Sequence, residues 1–224
     1  MKIKYKKYIE GKYLYRAFSS EWLKDIKKNG LNPKINPYEN IKSDLVKFFK
    51  ILDLLEEKKF NYVYLYWSGE KPLGSKISRV HIESLNKKYV DLTLNEKELD
   101  YYLNRMGGDI PHTVNHITED LIKWNYPLTD SQIKLIRKVQ KWARLRMKFS
   151  MKKLKISATS KYLEKAEFQR FGPEYIPCPY GSFEHFERII KKYGWKTYKP
   201  YLIGEKEFYI RFRNIIPPSE IKFY

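Results

Sequence analysis

The chain has 224 residues, 45 Lys plus Arg against 26 Asp plus Glu, a formal net charge of +19, 17% aromatic residues and a single cysteine. This length fits one large domain with a proper core, the aromatic content excludes a disordered basic tail, and lone Cys178 excludes an internal disulfide or a cysteine-rich zinc site. No apolar run nears the ~20 residues of a membrane span and no signal-type apolar segment follows Met1, so a soluble, cytoplasmic protein with no membrane partner is expected.

In chain order, residues 1–12 read as a basic, tyrosine-bearing arm suited to an edge strand. Tyr13 to Phe18 reads as an inner strand with Arg16 in its middle, where an unpaired charge is costly, so Arg16 is expected to hold an anion. A short helix from Ser20 to Asn29 stops at Gly30, and Pro33 prevents its continuation. Helical spacing of Leu45, Phe48, Phe49, Leu52 and Leu55 predicts a helix over Ile41 to Glu57. The stretch FNYVYLYWSGEKP, residues 60–72, alternates as a strand with Tyr62, Tyr64 and Tyr66 on one face. Further strands are expected at Ile77 to Ile82 and Tyr89 to Leu92. Asn95 is placed as the cap of a helix to about Arg105, and GGDIPH as a break before a helix running toward Trp124. Asp130 is placed as the cap of a long helix, Ser131 to Phe149. Thr159 or Ser160 then suits the cap of a helix to Gln169. A loop over residues 173–182, a short amphipathic helix from Phe183 to Tyr193, and a strand from Glu205 to Arg213 complete the chain.

Positive charge is unevenly placed. From Ser131 to Leu163 there are 11 Lys or Arg and no Asp or Glu. In the long helix Ile136, Val139, Ala143 and Met147 share one side, and Lys134, Arg137, Lys138, Lys141 and Lys148 fall mostly on the other, with Trp142, Arg144 and Arg146 nearby. Such a face suits a polyanion, most simply DNA or RNA, with binding that weakens steeply with salt. The lysine-rich, glutamine-poor composition also resembles that of proteins from hot-living organisms, and a solvated face serving solubility is the plain alternative.

Four short motifs stand in order: L-Y-R-x-x-S at Leu14 to Ser19, N-G-L-x-P at Asn29 to Pro33, the Y-V-Y-L strand, and a closing E-x-E strand followed by I-P-P-x-x-I. Together they resemble the ADP-ribosyltransferase superfamily, over residues 13–92 and 200–224, with the arginine-type branch of protein- and DNA-modifying toxins the most similar. The resemblance implies a single α+β domain over residues 1–224. Its split antiparallel sheet would be flanked by helices and grip NAD, with a helical, basic insertion at residues 94–155. It further implies Arg16, Ser19, Tyr64, Tyr66 and Ser68 around the NAD substrate and Arg16, Glu205 and Glu207 as catalytic residues. Cleaving the nicotinamide–ribose bond develops positive charge at the anomeric carbon, which a carboxylate such as Glu207 stabilises. Glu205 could orient or deprotonate the acceptor. The S-T-S of that branch is missing from the tyrosine strand, which offers only Ser68, and Ser157, Thr159 and Ser160 form a second candidate.

Plainer readings stand beside each of these. Glu205 and Glu207 could be a solvated strand face, Arg16 could pair with one of them inside the sheet, and the tyrosines could be packing. His112, His116 and Glu119 share a helix face but lack the H-E-x-x-H pattern of a metal site. The two functional classes are therefore an NAD-dependent ADP-ribosyltransferase acting on or with nucleic acid, and a non-enzymatic DNA- or RNA-binding protein.

Overall fold

A computed structural model of the chain describes residues 9–57, 82, 85–86, 88–123, 127–159, 166–169, 191–192, 194, 196 and 209–224, with 54–57 and 166–169 as backbone alone. It is a mixed α+β protein in which the six strands among the described residues form one antiparallel sheet. The strands are β1 (Tyr13–Ser19), β2 (Val90–Thr93), β3 (Met151–Ser157), β4 (Ala166–Gln169), β5 (Tyr209–Phe212) and β6 (Ile221–Phe223), in the order β4-β5-β2-β1-β3-β6. The helices are α1 (Leu23–Asn29), α2 (Lys42–Glu57), α3 (Leu99–Leu103), α4 (Asp109–Lys123) and α5 (Asp130–Arg146).

Two compact units share this chain. The sheet unit comprises residues 1–35, 88–105 and 150–224, and the helical unit residues 36–87 and 106–149. The sequence led us to expect a single domain with an insertion at 94–155. Instead the helical unit draws on two separate stretches, and β3 pairs with β1 from Tyr13↔Ser157 to Ser19↔Met151.

Each unit has its own core. In the sheet unit, alternation puts Leu14, Phe18, Leu92, Leu154, Ile156, Ile210 and Phe212 on one buried face. Trp22, Leu23 and Ile26 of the α1 region pack against that core. Gly30 follows α1 at φ +74°, and a Cβ there would collide with the main-chain carbonyl of Ile216, which also accepts the Leu31 N–H. Only glycine fits this bend at no cost. In the helical unit, Leu45, Phe48, Phe49 and Leu52 of α2 meet Ile110, Val114, Ile117 and Leu121 of α4 and Ile136, Val139 and Ala143 of α5. The 3.6-residue period expected for these helices is what makes each stripe continuous.

Several expectations are corrected. The α5 cap is Thr129, not Asp130: its hydroxyl accepts from the Gln132 N–H while the Gln132 side chain accepts from the Thr129 N–H. That reciprocal capping box satisfies two amides, so the helix starts one residue earlier, and it ends at Arg146 rather than Phe149. Residues 166–169, expected as the end of a helix, are strand β4, because pairing with β5 overrides the local helical pattern. Ile9 is helical and buried rather than part of an edge strand. Ile82, the last residue of an expected strand, is helical, and the rest of that segment lies outside the described residues.

Candidate functional site

The sheet is continuous within two three-stranded halves and narrow between them. β2 pairs with β5 from Val90↔Phe212 to Thr93↔Tyr209, and β1 pairs along its length with β3. Between β1 and β2 the register holds only at Tyr15↔Thr93. A continued ladder would set Ala17 opposite Asp91. There the Arg16 guanidinium, on the core face beside Leu14 and Phe18, donates to the Asp91 main-chain carbonyl at 2.7 Å. Arg16 thus satisfies a carbonyl left over where the halves diverge. Among the described residues no carboxylate pairs with Arg16, and Glu205 and Glu207, its expected partners within the sheet, lie outside them.

Asp91 serves two arginines. Its carboxylate, on the opposite face of the sheet, accepts from Arg211 Nε at 3.0 Å, and both side chains are only 13% exposed. The Arg211 guanidinium also lies 3.3 Å from the Tyr89 ring centre. Burial pushes the Tyr89 phenol up, partly offset by the nearby Arg211 charge. Glu167 holds the register position opposite Arg211 on β4, and Arg211 Nη2 is buried without a partner among the described residues. Sequence reasoning missed Asp91 and Arg211. The signal was one charge in each of two otherwise β-forming segments, V-D-L-T and Y-I-R-F.

Ser19 is 4% exposed and its hydroxyl lacks a hydrogen-bond partner among the described residues. Tyr64, Tyr66, Ser68, Glu205 and Glu207 lie outside the described residues.

On the same face as Asp91, the β1-β3-β6 half carries aromatic rings interleaved with lysines. Tyr15 lies 6.5 Å from both Tyr13 and Tyr224, tilted against the first and edge-on to the second. Lys155 Nζ stands 4.6 Å from the Tyr13 ring centre and 4.9 Å from that of Tyr224, and Lys222 Nζ stands 5.7 Å from Tyr13. Burial and then the Glu96 carboxylate push the Tyr15 phenol up. The same two causes raise Tyr224 further, with its hydroxyl bonded to Glu96. Glu96 and Asp100 are each met by Lys153 at 3.7 Å.

In the helical unit, the expected basic face of α5 is exposed at Lys134, Arg137, Lys138, Lys141 and Arg144. These five are not equivalent. Lys138 pairs with Asp44 of α2 at 2.7 Å, and Arg144 reaches Glu119 and Asn115 of α4. Lys134, Arg137 and Lys141 meet no carboxylate among the described residues. Arg137, Gln140, Lys141, Arg144, Leu145 and Lys148 line a shallow hollow of about 260 Å³. On α4 the His112 and His116 rings lie 4.5 Å apart, but among the described residues no group of three His, Cys, Asp or Glu is placed to hold a metal. No described helix is long and apolar enough to cross a membrane.

Comparison of the chain with protein-family models, with curated proteins and with solved structures finds no match.

Proposed function

We propose that the protein binds nucleic acid, with the exposed face of α5 as its principal phosphate contact. The observation that carries this reading is the row Lys134, Arg137 and Lys141, three cations at helical spacing with no carboxylate to neutralise them among the described residues, in a chain of net charge +19. Cations already paired within the fold gain less from a phosphate than unpaired ones, because they must give up an existing partner. The combined variant Lys134→Gln, Arg137→Gln, Lys141→Gln is therefore expected to lower affinity for DNA or RNA on the order of 100-fold at 0.1 M salt. Lys138→Gln with Arg144→Gln should cost less. Gel shift of both variants against wild type checks this, and equal losses would remove the special role of the unpaired row.

A second reading is transfer of ADP-ribose from NAD, with nucleic acid as acceptor or platform. What favours it is the narrow junction between the two halves of the sheet, with Arg16 beside it, in a strand carrying the L-Y-R-x-x-S motif. In this reading Arg16 exchanges the Asp91 carbonyl for the NAD pyrophosphate, a stronger, charge-assisted partner. Glu207 stabilises the charge that develops at the ribose, and Glu205 faces the acceptor. Arg16→Ala should abolish NAD binding in calorimetric titration, with the fold retained and the melt lowered only by the lost bond to the Asp91 carbonyl, about 1–3 kcal/mol. Glu207→Gln should slow nicotinamide release roughly 100-fold with NAD affinity little changed. A wild type that neither binds NAD nor releases nicotinamide contradicts this reading and leaves the first intact.

A further inference from the structure

Beyond the phosphate contact on α5, the sheet unit holds a surface of different chemistry. Paired residues of antiparallel strands share a face, so the registers Tyr13↔Ser157, Tyr15↔Lys155 and Lys155↔Lys222 align these side chains on one side of the sheet, opposite the core. Tyr13 is 37% exposed and Tyr224, directly after β6, 49%. Adjacent exposed rings on one strand face form a surface patch of the kind that marks an interaction site.

The charges around the rings indicate what that is. Glu96 and Asp100 are engaged by Lys153, and Glu96 also holds the Tyr224 hydroxyl. Lys155 and Lys222 meet ring faces and no carboxylate among the described residues. Two uncompensated ammonium groups beside three rings suit a ligand that is flat and anionic at alternating positions. An unpaired polynucleotide strand is built that way, with bases for the ring faces and phosphates for the lysines. A duplex hides its base faces and would use only the lysines.

We infer that Tyr13, Tyr15 and Tyr224, with Lys155 and Lys222, form a base-stacking platform for single-stranded DNA or RNA. On binding, the ammonium group of Lys155 leaves the ring face to a nucleobase and turns to the adjoining phosphate, a movement its four-carbon stem permits without backbone change. This inference rests on the reading of the protein as a nucleic-acid binder and adds strand selectivity to it.

The test uses the full chain and three probes, with an acidic peptide as a control beside them: a labelled oligothymidylate of roughly a dozen nucleotides, the matching duplex, and inorganic polyphosphate, which has charge but no bases. Tyr13→Ala and Tyr224→Ala should each weaken oligothymidylate binding about tenfold, leaving polyphosphate binding and the salt slope unchanged. Tyr13→Phe and Tyr224→Phe should retain affinity, which guards against an alanine variant that merely misfolds. Lys155→Gln should weaken both single-strand and polyphosphate binding. If the alanine variants bind oligothymidylate like wild type, or lose oligothymidylate and polyphosphate equally, the platform is overturned while the α5 contact stands. An acidic peptide that binds wild type and is weakened by the tyrosine variants would overturn it in favour of a protein partner. A wild type that binds none of the three probes overturns both the platform and the function on which it rests.

Discussion

The helical unit and the sheet unit display their positive charge in different ways. On α5 Lys134, Arg137 and Lys141, unpaired among the described residues, stand at helical spacing over a packed apolar stripe of Ile136, Val139 and Ala143. In the sheet unit the cations lie over rings: Lys155 over Tyr13 and Tyr224, and Arg211 over Tyr89. A lysine on an open helix face is a mobile point charge that answers to any phosphate, and salt screens it. A lysine held against an exposed ring marks a place that binds charge and flat surface together. Salt weakens only the first of these attractions. Composition gives the same residue types to both surfaces, and the backbone beneath them decides how they are used.

The separation of the two units can be tested most forcefully in their cores. Phe48 is fully buried among α2, α4 and α5 residues, so Phe48→Ala should destabilise the helical unit by about 3–5 kcal/mol. Hydrogen exchange should then show lost protection in α4 and α5 with β1 and β3 still protected. Uniform loss across both units would mean that they unfold as one. In the sheet unit the matching change is Gly30→Ala, which forces a side chain onto the Ile216 carbonyl at positive φ. It should cost more than about 1 kcal/mol and disturb first the Leu31 and Ile216 amides, which pair across this bend.

A smaller effect tests the start of α5. Thr129→Ala removes the hydroxyl half of the capping box, keeping the residue 129 N–H for the Gln132 side chain, and should cost about 1 kcal/mol in a thermal melt, whereas Asp130→Ala should cost a few tenths. The reverse order would restore Asp130 as the cap. The smallest expected effect concerns alkaline pH. Burial and Glu96 raise the Tyr224 phenol above its unfolded value, so its contribution is fully present below the unfolded tyrosine pKa of about 10. That contribution is lost as pH rises toward the folded value. Tyr224→Phe keeps the ring and removes the titration, so its melting temperature should fall less steeply above pH 10 than that of wild type. Parallel curves would show that neither burial nor Glu96 raises the Tyr224 phenol in the folded protein.

Legibility from sequence followed the range of the interactions. The helix faces of α2, α4 and α5 were readable because their apolar period is local and complete. The α5 cap was misplaced because Thr129 and Asp130 are both good cap residues, and the deciding signal was Gln132, three residues after Thr129. β4 was read as helix because its partner β5 comes some forty residues later, and no local pattern reports that pairing. The charge of Arg16 announced that something must be held, but its partner is a main-chain carbonyl 75 residues away, which carries no sequence signature. Asp91 and Arg211 were likewise invisible as a pair until β2 and β5 were set side by side. The two interleaved cores escaped notice because composition changes little where the chain crosses from one unit to the other.

The central claim is that unpaired cations on α5 bind the phosphates of a nucleic acid, and the salt dependence of wild-type affinity tests it most directly. Affinity for a mixed-sequence single strand, measured from 50 to 200 mM salt, should give a plot of log affinity against log salt with a slope of about −2 or steeper. That value corresponds to release of counterions from at least three phosphates, those met by Lys134, Arg137 and Lys141. A slope near zero, or no measurable binding at 50 mM salt, would contradict the claim.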